Sequence, residues 1–289
     1  MPRILSIQSQ VIHGHVGNQA ATLPLQMQGF EIWAVPVAIL AHHPGQGAPV
    51  PLFVAPAQMR DWLKALQLLP EAADIAGVIT GWLGRAAIGD PIIEMIRGLR
   101  AARPGLPILC DPVMGDLDSG LYVEPDLAAW IRDHLVAEAD ILTPNQFELE
   151  YLTGRRTGSL QDVLEAAERL RAQMRPGGQR LLAVTSFRRG DGGVNAAEAL
   201  VMNDEGAWLA SLPDLGSKVP KGAGDLFAAL FLARLLKGKT PKKALAFACA
   251  GCFGLLAAAA RAGLRDMPLV AAREELLRPQ SEPMLQRLR

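Results

Sequence analysis

In the stretch Lys221–Asp225, KGAGD, a carboxylate follows two glycines just where a helical pattern begins. Leu226, Phe227, Leu230, Phe231, Leu235 and Leu236 recur at three- and four-residue spacing, which predicts a helix with one apolar face and an N-terminus at Gly222–Asp225. The first turn of a helix leaves backbone N–H groups unpaired and carries the positive end of the dipole. Gly222, Ala223 and Gly224 can therefore seat a phosphate or a developing oxyanion. Asp225, at the mouth of that seat, can take a proton from an alcohol as its oxygen attacks phosphorus. For an isolated GxGD, helix capping is the better explanation of the aspartate, so the rest of the chain must decide.

Further acidic and polar residues fall at predicted strand ends. Asp111 and Asp116, in CDPVMGD, lie just past the short strand Pro107–Cys110, where ligands of open α/β sheets bind. Carboxylates there can hold magnesium through water, or they can simply shape a turn. In TPNQFELEYLTG, Thr143 or Asn145 can cap the next helix, and Glu148 in its first turns offers a second carboxylate beside Asp111. Ser9, at the end of the first strand, can donate to a substrate oxygen or satisfy backbone. His42 and His43 sit in AHHPGQGAPVP, an irregular loop of the kind that covers ligands, where solvation explains them as well as ring contact does. Trp82, in GWLG, can wall a flat substrate, although packing is the commoner role of tryptophan. His13 and His15 lack neighbours to complete a coordination shell, and the Cys249–Cys252 pair lacks the second pair of a zinc site, so neither is assigned a metal.

The elements that must position these residues alternate in type. Strands are predicted at Ile4–Ile7, Ile32–Leu40, Ile75–Thr80, Pro107–Cys110, Asp140–Leu142 and Leu181–Thr185, with a hairpin of Ala199–Met202 and Ala207–Ala210 around NDEG. Helices are predicted at Ala20–Gln28, Met59–Leu69, Ile92–Leu99, Leu127–Leu135 and Leu160–Arg171. RRGDGGVN reads as a surface turn, LPDLGSKVP as a flap, and Ala271–Arg289 as a peripheral helix and tail. This alternation implies an α/β fold with a central, mostly parallel sheet covered on both faces. At 289 residues and 50% hydrophobic, the chain can bury its core as one domain spanning 1–289.

Bulk properties exclude several classes. Lys plus Arg balances Asp plus Glu at 29 each, which speaks against electrostatic capture of nucleic acid or an anionic membrane. Three cysteines are too few for a disulfide framework and the start of the chain has no secretory apolar run, which together imply a cytoplasmic protein. Ala244–Ala260 is uncharged and apolar but short of the roughly 20 residues of a bilayer crossing, and reads as a central buried helix. No GxGxxG follows the first strand and no GxxxxGK[ST] occurs, which counts against nicotinamide and P-loop enzymes.

Taken in order, SIQSQVIHGHVGNQAA, LAHHPGQG, GWLG, CDPVMGD, ILTPNQFELEYLTG and GAGDLFAALFLA resemble the pyridoxal kinases of the ribokinase-like superfamily, from about Ser6 to Arg234. The resemblance implies a three-layer α/β/α sandwich, a homodimer, and ATP-dependent phosphorylation of the 5'-hydroxymethyl group of pyridoxal, with pyridoxine and pyridoxamine as further B6 substrates. By the same resemblance Asp225 is the base and the Gly222–Ala223–Gly224 backbone the anion hole. Asp111, Asp116, Thr143, Asn145, Glu148, Thr185, Ser186 and Gly222 fall where the family handles ATP, with Asp111 and Glu148 at Mg2+ and room for a monovalent cation such as K+. Ser9, Val16, His43, Trp82 and Asp225 fall on the vitamer side. The chain departs from the family at Pro44, where Thr is common, at Trp82, where Tyr is usual, and at Lys221, where an apolar residue is usual. These changes bear on vitamer choice. The second reading is a relative acting on hydroxymethylpyrimidine, and the third a B6- or nucleotide-binding protein without catalysis.

Overall fold

Period-two alternation along the strands sends side chains into two separate cores. In β1 (Arg3–Val11), Ile4 turns to one face while Leu5 and Ile7 turn to the other. The chain continues through β2 (Glu31–Leu40), β3 (Pro51–Phe53), β4 (Ile75–Thr80), β5 (Ile108–Cys110), a two-stranded ribbon of β6 (Gly115–Asp116) and β7 (Gly120–Leu121), β8 (Ile141–Leu142), β9 (Leu181–Phe187), β10 (Ala196–Asn203), β11 (Gly206–Pro213) and β12 (Met284–Arg287), and the division recurs in β4, β5, β8, β9, β10 and β11. Val78, Ile108, Leu142 and Leu182 join Leu5, whereas Ile79, Leu109, Ile141 and Leu181 join Ile4. The computed structural model describes residues 1–188, 196–216 and 219–289, without the side chain of Pro44. Most of RRGDGGVN, two residues of LPDLGSKVP and the Pro44 side chain thus lie outside the described residues.

Helices cover both faces. α1 (Asn18–Met27) lies on the Ile4 side. α2 (Pro56–Gln67), α3 (Gly89–Ala102), α4 (Pro125–Trp130), α5 (Gln146–Thr153) and α6 (Leu160–Arg171) send side chains into the Leu5 core. α7 (Ala223–Leu236) and α8 (Pro241–Ala262) return to the Ile4 side. The result is the expected three-layer α/β/α sandwich. Ten strands form one sheet in the order β12-β11-β10-β9-β8-β5-β4-β1-β2-β3. From β2 across to β9 every neighbouring pair is parallel, and the pairs outside that span are antiparallel. Central parallel strands buried on both faces read as unbroken apolar runs, which is why Ile75–Thr80 was legible as a strand. The carboxyl ends of β1, β4, β5, β8 and β9 therefore open on one edge of the sheet.

Three expectations change. α7 has no exposed polar stripe over its first three turns: every residue from Asp225 to Ala233 is buried, because α1 and α8 flank it and the sheet lies beneath. The chain end is not a helical tail. Met284–Arg287 pairs antiparallel with β11 as an edge strand, Trp208 opposite Arg287. Finally, α8 extends past the Ala244–Ala260 run and is, by length and apolar composition, long enough to cross a membrane; the expected buried helix stands, since it packs on α7 with Leu245, Ala248, Cys252 and Leu255 buried.

Candidate active site

Helix α7 begins on Gly222, whose φ of 95° is the left-handed conformation that glycine adopts without strain. A methyl group there would come within 2.0 Å of the His15 carbonyl oxygen and 3.0 Å of the Met267 methyl, so space as well as torsion requires glycine. The first helical bond runs from Leu226 N–H to the Gly222 carbonyl at 3.0 Å. The N–H groups of Ala223, Gly224 and Asp225 precede it and are left for an anion. From behind, the Cys252 thiol of α8 donates to the Ala223 carbonyl at 3.6 Å.

Asp225 is 9% exposed. Burial pushes its carboxyl up to about 6, against the opposing pull of the Gly17 N–H. Gly17 joins the two halves of the region, since a methyl on it would lie 2.5 Å from Ser9 Oγ. Sequence reasoning passed over Gly17, although its φ of 54° in the turn before α1 marks it as a position suited to glycine.

Opposite α7 lie the strand ends. Asp111 follows β5, its N–H bonded to the Thr80 carbonyl at 2.9 Å. Its carboxyl is pushed well above the usual range by burial, then by the charges of Glu148 and Asp225, while the adjacent Thr143 hydroxyl pulls weakly the other way. That hydroxyl is buried without a hydrogen bond of acceptable geometry. Glu148 closes a capping box at the start of α5: Asn145 Oδ1 accepts from the Glu148 N–H at 3.0 Å, and Glu148 Oε2 accepts from the Asn145 N–H at 2.9 Å. Its Oε1 accepts from the Met114 N–H at 2.8 Å, tying α5 to the loop after β5. Burial nevertheless outweighs these bonds and raises Glu148 to about 7. The capping role weighed against a metal role is thus real, and it also holds the carboxylate beside Asp111.

Asp116, in β6, accepts from the Ser119 N–H at 2.6 Å and from Lys221 Nζ at 3.2 Å. Burial pushes its carboxyl up, but these donors win and hold it below the usual range. Thr185 pairs with Asn145 across the end of the sheet, and Ser186 has an unusual φ of 51° for a residue with a side chain. Asp111, Asp116, Thr143, Asn145, Glu148, Thr185, Ser186 and Gly222–Asp225 all line one cavity of about 430 Å³. Tyr122, which sequence reasoning missed, lines it too. Its only signal was its place eleven residues past Asp111 and six past Asp116.

Ser9, Val16, His43 and Trp82 do not line that cavity. Ser9 backs against Gly17, and Val16 precedes it in the chain. His43 is buried, and its Nδ1 accepts from the Gly45 N–H at 3.1 Å. Trp82 packs at 6.2 Å from the Phe53 ring, so its packing role is fulfilled whether or not a ligand is bound. Beneath Ser9 a buried network sets β1 against α1: Ser6 Oγ donates to Asn18 Oδ1 at 2.7 Å, and Gln8 Nε2 donates to Ser6 Oγ at 2.9 Å. Among the described residues no group of three or more His, Cys, Asp or Glu is arranged to hold a metal by protein ligands alone.

Comparison with known proteins identifies the family of the chain. A family model described as phosphomethylpyrimidine kinase matches residues 58–269, which puts the chain in a class of small-molecule kinases. Pyridoxal kinase PdxY of Deinococcus radiodurans is 40% identical over 284 residues, covering 96% of this chain and 94% of the relative. The Rubrobacter xylanophilus pyridoxal kinase PdxY is 39% identical, with the same coverage. Among solved structures, pyridoxal kinase from Leishmania donovani in complex with ADP and pyridoxamine superposes with a TM-score of 0.90 at 26% identity, over all of both chains. The chain belongs to the pyridoxal kinase family, and its fold is the ribokinase-like sandwich.

Proposed function

We propose that the chain transfers the γ-phosphoryl group of ATP to the 5'-hydroxymethyl group of pyridoxal, giving pyridoxal 5'-phosphate and ADP in vitamin B6 salvage, and that pyridoxine and pyridoxamine are further substrates. The observation that carries the reading is the convergence on one cavity of the Gly222–Asp225 helix start and the strand-end residues Asp111, Thr143, Glu148 and Thr185. In this reading Asp225 takes the proton of the 5'-hydroxyl while that oxygen forms its bond to the γ-phosphorus. The bond from phosphorus to the bridging oxygen breaks, and ADP leaves. The N–H groups of Ala223, Gly224 and Asp225 face the charge on the transferring group, where preorganised donors act most strongly. A carboxyl held near 6 by burial suits the task, being ionised at neutral pH yet basic enough to accept a proton.

Asp111 and Glu148 are assigned to the Mg2+ of the nucleotide. Two carboxylates, with phosphate oxygens and water, suffice for a cation that seldom takes an all-protein shell. The ion would neutralise charge on the phosphates, and a monovalent cation such as K+ would add to that. Supporting this, Asp111 is buried and has no ion pair among the described residues. Ser9, Val16, His43 and Trp82 are assigned to the vitamer, and Asp116, Asn145, Thr185 and Ser186 to the nucleotide. A single domain is supported by the ten-stranded sheet, which holds both the first strand, β1, and the last, β12. A homodimer is supported by exposed Ile12, Val50 and Leu52 on neighbouring segments at the β3 edge. The balanced charge supports a protein without nucleic-acid or anionic-membrane partners, and the low cysteine count is what supports placing it in the cytoplasm.

The second reading, phosphorylation of hydroxymethylpyrimidine, draws on the name of the matching family model. ADP release from ATP and Mg2+ with pyridoxal, pyridoxine, pyridoxamine or hydroxymethylpyrimidine separates the two. Turnover of a B6 vitamer is expected. Turnover of the pyrimidine alone would select the second reading, and turnover of none would remove both.

A further inference from the structure

The segment that follows α8 carries an acidic residue for which the reaction has no use. Asp266, with a side chain 24% exposed, reaches two turns far from it in sequence. Gln46 Nε2 donates to both of its oxygens, at 3.0 Å each. His13 Nε2 lies 3.5 Å from its Oδ2 and His43 Nε2 3.6 Å from its Oδ1. Because His43 Nδ1 accepts the Gly45 N–H, the ring proton resides on Nε2 when His43 is neutral, on the side that faces Asp266. The approach leaves no spare room. A methyl group on Gly14, whose φ is 96°, would meet Asp266 Oδ1 at 3.1 Å and the His43 ring at 3.2 Å.

The next residue faces the opposite way. Met267 is fully buried, and its methyl lies 3.0 Å from where a side chain on Gly222 would begin. The His15 carbonyl touches the same place, at 2.0 Å, and His15 belongs to the turn that Asp266 holds through His13. One dipeptide therefore contacts the start of the anion hole with one side chain and both vitamer-side turns with the other.

We propose that Asp266 is a positioning residue: it holds the His13–Gly17 turn and the His43–Gln46 turn in register with the Gly222–Gly224 helix start, and so sets the affinity for the alcohol substrate without taking part in phosphoryl transfer. The substrate part of this inference rests on the proposed function. The positioning part does not. A carboxylate that accepts on both oxygens from one amide nitrogen and faces two imidazoles adds a charge-assisted tie to the backbone bonds from Ile12 and His13 to Leu40 and Ala41.

Asp266→Asn tests it, since the amide keeps the shape but loses the charge and turns an N–H toward its former donors. Two readouts are needed: steady-state constants for pyridoxal and ATP, and amide hydrogen exchange of residues 12–17 and 41–50 in the ligand-free protein. The expected result is a rise of about tenfold in KM for pyridoxal, with kcat and the KM for ATP within about threefold. Exchange in both turns quickens, while exchange in α6 is unchanged. An unchanged KM for pyridoxal, or equal rises for pyridoxal and ATP, overturns the role in substrate affinity. Unchanged exchange in the two turns overturns the tie itself. Should Asp266→Asn fail to fold, Gln46→Ala takes its place, with about a threefold rise in KM for pyridoxal alone expected and no change counting against the proposal. If the wild type phosphorylates no vitamer, the proposed function falls, and the exchange comparison still decides the tie.

Discussion

Glu148→Gln probes a buried charge in the cavity. Glu148 is 2% exposed, and burial raises its carboxyl from an ordinary 4.5 to about 7 even though the N–H groups of Asn145, Met114 and Gly115 favour the ionised form. An acid whose value is raised by folding stabilises the native state most fully below its unfolded value, and that contribution is lost as pH rises through the folded value. For these two values the loss between about pH 5 and about pH 8 amounts to about 2 to 3 kcal/mol. The glutamine variant has no such titration. The wild type should therefore lose about 2 to 3 kcal/mol relative to Glu148→Gln across that interval, in urea unfolding without divalent cations. Asp111, which Glu148 pushes up, reinforces the sign, because it ionises more easily in the variant. His15 and His43, both lowered by burial, drift the other way with pH but do so in both proteins and cancel. A difference that stays flat, or that grows in favour of the wild type as pH rises, would refute the reasoning.

Gly222→Ala should lower kcat by about a hundredfold or more, because the side chain has no room beside the His15 carbonyl and the helix start must move from its anion; single-turnover kinetics giving kcat within about threefold of wild type would count against the anion hole. The pH profile of kcat/KM for pyridoxal should fall about tenfold per unit below a midpoint near 6 and be flat above it, as expected for a base that must be ionised. A profile flat down to about pH 5 would remove Asp225 from that role.

How much of this was legible depended on whether the cause was local. Helix α6 could be read to the residue because Ser159 and Asp162 form its capping box and the apolar spacing stops at Arg171. The Gly222–Asp225 turn was equally readable, since glycine, helix start and carboxylate are contiguous. Asn145 and Glu148 carried the spacing of a capping box, but sequence could not say that Met114 would claim the other oxygen of the glutamate. Burial on every side of α7 was hidden because it depends on α1 and α8, not on the helix itself. β12 was hidden for a similar reason: Met284–Arg287 has little strand pattern, and pairing with β11 makes it one. Asp266 was invisible, because its meaning depends on Gln46, 220 residues away.

The most direct test is phosphoryl transfer by Asp225→Asn, followed as ADP release with pyridoxal, ATP and Mg2+ and paired with dissociation constants for both substrates. Asparagine fills the same buried space but cannot accept the alcohol proton. The expected result is a loss of about a hundredfold to ten-thousandfold in kcat, with both dissociation constants within a few-fold of wild type. Transfer at the wild-type rate would contradict the assignment of Asp225 as the base.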